Sequence, residues 1–405
     1  MKKKISIIIT FILLTLLLTL SGCSQGIPTT TPSSFTLEED FAQDKVTVEQ
    51  SSFQYFAHPD CVSLNDGTVV TVYVKGHGKG ALVMKKSTDF GQTWTKVKTP
   101  SSWAHSEETP TIYKLDFKDN STKYILITGC PGWGKKGGGI RYSTSSDGLN
   151  YTEFMAAWDE DYDENAISSE DDYHKTIVAM SSLTRLKENG EFIDKWMGTF
   201  HNYAFVNYKS YLTFENGIPV WSDPEPLMPM WRDIEKENNL CELEIVRSPD
   251  GNELMMLSRN NSRKARSMVC FSTDEGMTWS EPKEACKELF GDRHKACYGK
   301  DNKLIIAMRG LYKDENNQTS FTGWRAWLGT YDDIKNYYLG DTTKKGEKTI
   351  VLNEDYAFES IRKKDPSGGY SGVVANDNGD FLLVGYGYFS PTIRKPGILA
   401  VHYYV

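Results

Sequence analysis

The 405-residue chain has little of what marks several common protein classes. Beyond Lys2-Lys3-Lys4 it has no basic run, and its 54 Asp and Glu outnumber 46 Lys and Arg to leave a formal charge of −8. Nucleic-acid binding needs the opposite balance, clustered on one face, so no nucleic-acid partner is expected. Only one long apolar run occurs, Ile5 to Leu20, which excludes a multi-span membrane protein. The seven cysteines show no Cys-x-x-Cys spacing, so they do not read as a zinc site. The glycine-rich run from Gly132 to Gly139 lacks the order of a phosphate-binding loop. No run of ten residues has helical periodicity, except around Asp233 to Glu237, which argues against a helical fold. What is present is a globular share of hydrophobic residues, 39%, and 12% aromatics that include 10 Trp and 22 Tyr. Such chains favour strands and often present rings to sugars.

The N-terminus has the layout of an export segment. Three lysines precede the apolar stretch, and Leu20-Ser21-Gly22-Cys23 follows it directly. Small residues before a Cys at the end of the apolar stretch resemble a bacterial lipobox. That resemblance implies cleavage after residue 22, lipidation of Cys23, and an exported chain held at the membrane by its lipid alone. It would face the extracellular or periplasmic side. Two acyl chains on one Cys give the stable anchoring that a single chain does not. Residues 23–45 are rich in Ser, Thr, Pro and acids and read as a tether. The other cysteines, Cys61, Cys130, Cys241, Cys270, Cys286 and Cys297, are equally compatible with disulfides and with buried thiols.

The remainder, 46–405, is repetitive. Ser87-Thr-Asp-Phe-Gly-Gln-Thr-Trp94 and Ser272-Thr-Asp-Glu-Gly-Met-Thr-Trp279 share the pattern Ser-x-Asp-x-Gly-x-Thr-Trp, with a shortened relative at Ser145 to Tyr151. The Asp and Ser side chains suit turn amides, and Gly suits a positive φ, so these acids are structural. A second series of turns, Asp66-Gly67, Asp119-Asn120, Asn189-Gly190, Asp250-Gly251, Asp301-Asn302 and Asn378-Gly379, sits between apolar β-branched segments. Successive members lie 53, 70, 61, 51 and 77 residues apart. Six units of about sixty residues, each with several strands, predict an all-β fold: a six-bladed β-propeller of four-stranded blades.

The Ser-x-Asp-x-Gly-x-Thr-Trp segments resemble the Asp box (BNR repeat) of the sialidase superfamily. Further segments match the same family. Glu242 precedes a strand, an Asp-Gly turn and a strand that ends at Arg259, and Tyr370-Ser371 precedes the last hairpin. The resemblance implies that Tyr370 is a nucleophile, Glu242 its activating base, and Arg259 a carboxylate-binding arginine. Arg325, ahead of the turn-like Tyr331-Asp332-Asp333, is similar to the family's third arginine. Where the family has its first arginine, this chain has Phe56-Ala57-His58-Pro59-Asp60. Where it has an acid/base Asp, the short loop from Lys75 to Gly80 offers only His77. His77, His58 and Asp60 are therefore the candidates for protonating a leaving group. Gly291-Asp292-Arg293-His294-Lys295, just before the fifth turn, adds Asp292, Arg293 and His294 as substrate-binding candidates. Trp133, Trp231 and Trp324 are candidates for stacking on a sugar.

The chemistry suits an anionic sugar. A carboxylate on the anomeric carbon repels an Asp or Glu nucleophile, whereas a neutral Tyr avoids that clash. Clustered arginines bind the carboxylate through forked hydrogen bonds. The expected function is a surface-anchored, sialidase-like glycoside hydrolase acting on sialic-acid-like or uronate-type sugars of glycans. No cofactor is expected and no metal-ligand cluster is evident, though loop carbonyls could bind calcium, and a monomer is the default. One alternative is a propeller polysaccharide lyase acting on uronates through His58, His77, Tyr370 and Arg259. Another is a glycan-binding lipoprotein without catalysis.

Overall fold

The computed structural model describes residues 37–78, 80–106, 109–129, 140–158, 176–354 and 368–405. Cys23, the export segment, Cys130 and Trp133 lie outside the described residues. Six antiparallel sheets follow one another along the chain. Their innermost strands are Ala57–Ser63, Thr111–Asp116, Thr176–Glu188, Leu240–Arg247, Gly291–Tyr298 and Ser371–Ala375, defining blades 1 to 6. Each innermost strand packs beside the next, and Ser371–Ala375 returns to Ala57–Ser63, so the ring closes. The fold is the expected six-bladed propeller, and all six predicted turns join a first strand to a second.

Blades stack face to face, so their inner strands lose water on both faces and read as continuous apolar runs. Val69–Val74 and Phe381–Gly387 are buried at every position. The outermost strands, such as Thr95–Val97, are largely exposed. Trp103, Trp196 and Trp327 are among the largest wholly buried side chains. Burying each removes a large apolar area from water, at about 25 cal/mol per Å².

The Ser-x-Asp-x-Gly turns connect third strands to fourth strands. In blade 1 the Ser87 hydroxyl donates to Asp89 (2.7 Å) and accepts from the Gly91 N–H (2.7 Å), while Asp89 accepts from Thr93 N–H (2.9 Å). Blade 4 repeats this with Ser272, Asp274, Gly276 and Thr278. Gly91 and Gly276 have φ of 89° and 80°. A Cβ on Gly91 would sit 2.6 Å from Leu382 of blade 6, and one on Gly276 would sit 2.7 Å from Met197 of blade 3. Each turn thus presses its glycine against the preceding blade and fastens neighbouring sheets.

Two features differ from expectation. Glu38–Phe41, placed in the tether by composition, forms a parallel strand on Lys348–Asn353 of blade 5. Its backbone finds partners on an otherwise open sheet edge, and Asp40 accepts from Tyr403 (2.9 Å). Tyr331–Tyr338, read as a degenerate turn, is an α-helix. Thr330 and Asp333 form a reciprocal capping box at its start, a signature that outweighs the turn-like acids. A second helix, Arg232–Asn238, falls where periodicity allowed one. Cys61, Cys241, Cys270, Cys286 and Cys297 are free thiols.

Candidate active site

Three innermost strands break register at the same point. The pairing slips between Ala57 and Asp60 in blade 1, between Cys241 and Glu244 in blade 4, and between Asp292 and Lys295 in blade 5. A bulge re-aims one side chain. Here the re-aimed residues are His58, Glu242 and Arg293, with φ of 50°, 50° and 49°. None is glycine, and each carries a strain of about 1–3 kcal/mol, which proteins retain mainly at functional sites. All three are buried.

Glu242 and Tyr370 come together from blades 4 and 6. The Tyr370 hydroxyl donates to Glu242 Oε1 at 2.6 Å. Arg259, opposite Cys241 on the second strand of blade 4, reaches both from one nitrogen: Nη1 lies 3.0 Å from Glu242 Oε1 and 2.8 Å from the Tyr370 oxygen. Burial pushes the Glu242 carboxyl up, but the Arg259 and Arg293 guanidiniums overcome it and hold the group below its usual range. Glu242 is therefore ionised and able to accept a proton. Burial raises the Tyr370 phenol well above its ordinary value, with Arg259 opposing. The phenol keeps its proton at rest, and its ionisation depends on these two partners.

Asp292, wholly buried, gathers three arginines. Arg263 grips it with two nitrogens, at 2.5 and 2.7 Å. Arg309 donates through Nε and Nη2, at 3.0 and 2.6 Å. Arg259 Nε lies 3.2 Å away without the alignment of a hydrogen bond. Burial would raise the Asp292 carboxyl, and Arg259 and Arg309 instead hold it far below its usual range. Asp292 thus organises the arginines and has no face left for a ligand. Arg309 also lies over the Tyr370 ring, 5.1 Å from its centroid.

The histidines divide. The His58 ring is buried, and its Nδ1 accepts from the Gly78 N–H (3.2 Å), so its proton sits on Nε2 beside the Tyr386 hydroxyl (3.2 Å). Burial, with His77 and Arg309 adding to it, keeps the ring neutral. The His58 ring lies 5.1 Å from that of Tyr370, tilted to it, and 4.9 Å from that of His77, edge-on. His77 is exposed and shares a 3.1 Å contact between Nδ1 and the Tyr55 hydroxyl. The strand–turn–strand of blade 1 therefore does bring both histidines to one end.

The remaining predicted residues lie elsewhere. Asp60 is two positions past its bulge residue, in a deeper layer with Glu244 and Lys295 at the equivalent positions of blades 4 and 5. It accepts from the Cys61 and Ile112 amides (2.9 and 3.0 Å) and pairs with Lys295 at 3.6 Å. Its oxygens are committed to joining blades 1, 2 and 5, which removes it as a proton donor. His294, between Arg293 and Lys295, points off the axis, because alternate side chains of a strand face opposite ways. Its Nε2 contacts the Leu289 carbonyl (3.0 Å) instead. Arg325 is on the third strand of blade 5 and pairs with Glu354 (3.2 Å), two strands away from the axis. Arg309, on the second strand, is the blade 5 arginine that reaches Asp292 and the Tyr370 ring. Trp324 packs between blades 5 and 6 and donates to Ser371 Oγ (2.7 Å), and the Trp231 indole donates to the Trp279 carbonyl (2.8 Å). Both are engaged in packing.

Sequence reasoning missed Arg309, Arg263 and His201. Arg309 had a signal: Leu304-Ile305-Ile306-Ala307-Met308-Arg309 repeats the layout of Leu254-Met255-Met256-Leu257-Ser258-Arg259. His201, on the second strand of blade 3, is buried, and burial drops its pKa to about 4. Arg263 and His201 carry no pattern that would have marked them.

No protein-family model matches the chain, and no curated protein does. Solved structures do match in fold. A protein of unknown function from Dyadobacter fermentans aligns over 89% of this chain and 98% of its own, at 15% identity and a TM-score of 0.61. The α-L-arabinofuranosidase Arb93A of Fusarium graminearum aligns over 89% and 98%, at 10% identity and a TM-score of 0.55. The intramolecular trans-sialidase of Ruminococcus gnavus aligns over 90% and 96%, at 11% identity and a TM-score of 0.55. At these identities the likeness concerns architecture alone: this chain has the six-bladed propeller fold that the three proteins share.

Proposed function

We propose that the protein is a glycoside hydrolase that removes an anionic sugar from glycans, with Tyr370 as nucleophile and Glu242 as its base. The observation that carries this reading is the 2.6 Å hydrogen bond from the Tyr370 hydroxyl to Glu242, bridged by Arg259. The phenol oxygen attacks the anomeric carbon as its proton passes to Glu242 Oε1, and Arg259 balances the charge that develops on that oxygen. His77, exposed and oriented by Tyr55, protonates the departing oxygen. Water then cleaves the glycosyl–tyrosine bond. Its proton goes to His77, and Glu242 returns the phenol proton. Around this pair, four guanidiniums (Arg259, Arg263, Arg293 and Arg309) face two carboxylates (Glu242 and Asp292), a surplus of positive charge that favours an acidic sugar. The similarity to a trans-sialidase and an arabinofuranosidase fits a propeller glycosidase. The lipobox-like N-terminal pattern supports a lipid-anchored, exported chain as the carrier of this activity.

The test is turnover of fluorogenic sialosides, glucuronides, galacturonides and arabinofuranosides by the full chain. An acidic glycoside should be cleaved, and Tyr370→Phe or Glu242→Gln should lower kcat by about 10²–10⁴-fold without unfolding the protein. Unchanged turnover in Tyr370→Phe sinks the nucleophile assignment. A lyase is the second reading, favoured by the rings of His58 and His77 lying 4.9 Å apart beside Tyr370. It would yield an unsaturated, ultraviolet-absorbing uronate from a polymer, which a hydrolase does not.

A further inference from the structure

We propose that the axial mouth holds an open anion seat built on Arg293, distinct from the arginine cluster that Asp292 already fills, and that this seat takes a carboxylate. The carboxylate is either that of a sugar acid or that of a small free acid.

The argument begins with what the other guanidiniums are doing. Asp292 accepts from Arg263 and Arg309, and Arg259 is divided among Glu242, Tyr370 and Asn261 Oδ1 (2.6 Å). A protein carboxylate thus sits where three arginines converge, and a ligand carboxylate would have to displace it. Arg293 differs. It is 5% exposed, and its Nη1 is buried without a hydrogen-bond partner. Among the described residues, no hydrogen bond or ion pair engages it. A buried guanidinium left unpaired is costly, and a planar fork of donors suits a carboxylate. Its strained backbone, with φ of 49°, is what turns this side chain away from regular strand geometry.

Two further buried atoms lack partners nearby, Glu242 Oε2 and His201 Nε2. His201 lies within electrostatic reach of Glu242, Arg259 and Arg293. Its Nδ1 faces the Asn202 carbonyl at 3.1 Å, so Nδ1 carries the proton and Nε2 is a bare acceptor. A bare acceptor repels a carboxylate and receives a sugar hydroxyl. One donor fork and two acceptors therefore fit a polyhydroxylated acid: Arg293 takes the carboxylate, while His201 Nε2 and Glu242 Oε2 take hydroxyl protons. The hydrolase reading bears only on the sugar-acid source of the carboxylate. The seat itself stands on Arg293.

Calorimetry on the full chain tests this with N-acetylneuraminate, glucuronate, galactose and acetate as probes. The expected result is binding of at least one sugar acid, no binding of galactose, and a loss of about tenfold or more in affinity in Arg293→Gln, since a charge-assisted hydrogen bond is worth about 1.5–3 kcal/mol. Arg293→Lys keeps the charge without the fork and should lose less, which retains the test should the Gln variant fold poorly. Acetate binding that vanishes in Arg293→Gln, with no sugar acid bound, supports the seat and assigns it to a small free acid. Sugar-acid affinity unchanged in Arg293→Gln overturns the proposal. So does galactose binding as tightly as the acids, or no binding by any probe. Failure of the hydrolase reading would instead show as sugar-acid binding without turnover.

Discussion

The outer turns and the inner bulges are both devices the chain repeats, but they are fixed by different things. The turns at Asp89 and Asp274 use the same residues for the same bonds, because a local loop dictates what each side chain must satisfy. The bulges of blades 1, 4 and 5 share a backbone shape, with φ within a degree of one another, yet they carry His58, Glu242 and Arg293. A repeated backbone holds the position, and the residue placed on it supplies the chemistry. The turns spend their acids on structure. The bulges accept strain and leave Glu242 Oε2 and Arg293 Nη1 unsatisfied. That contrast is what puts the candidate site at the axis rather than at the conspicuous aspartates.

The largest test of the contrast is at Asp292. Asp292→Asn leaves Arg263 and Arg309 without their counter-charge and should cost about 3–5 kcal/mol of stability in urea unfolding. An effect below about 1 kcal/mol would mean the cluster is solvated and not organised by this carboxylate. Next comes pH. The His201 pKa falls from an ordinary 6.5 to about 4 through burial, so between those values the unfolded chain binds a proton that the folded chain refuses. The stabilisation is present above pH 6.5 and is lost as pH falls toward about 4. His58 and His294 are depressed in the same direction. Tm should drop across this window, and His201→Gln should flatten part of that slope. A smaller effect belongs to the turns. Gly276→Val, at φ of 80° and against Met197, should cost about 1–3 kcal/mol by thermal unfolding. Smallest of all, Arg325→Ala should leave turnover within twofold, because its partner is Glu354 at the rim. A loss comparable to that of Tyr370→Phe would return Arg325 to the site.

Much of the fold was legible because its determinants are local. The six turns and the Ser-x-Asp-x-Gly segments act within a few residues, so their spacing alone counts the blades. Glu242, Arg259 and Tyr370 were legible through the resemblance of their segments, around the fourth and last hairpins, to those of sialidases, and Glu242 also stood out as a carboxylate in an apolar strand. Asp60 and His294 were misplaced because bulges shift the facing of every residue after them, and a one-residue insertion leaves no mark on composition. Arg325 was singled out and Arg309 missed because only the former lay beside a turn-like motif. The choice between them depends on strand order within blade 5, which emerges only when Thr319–Gly329 is seen to be third from the axis.

The last blade carries a consequence for how the chain reaches its native state. Lys45–Glu49 pairs with Gly397–Tyr403, so the sheet that closes the ring joins the first and last portions of the fold. A chain made from its N-terminus must hold Lys45–Glu49 unpaired until the final residues arrive. Contacts of such long sequence separation slow folding and leave strand edges open in the meantime. The ring is therefore a late product of assembly: its Lys45–Glu49 strand is an early edge waiting for a partner more than three hundred residues downstream.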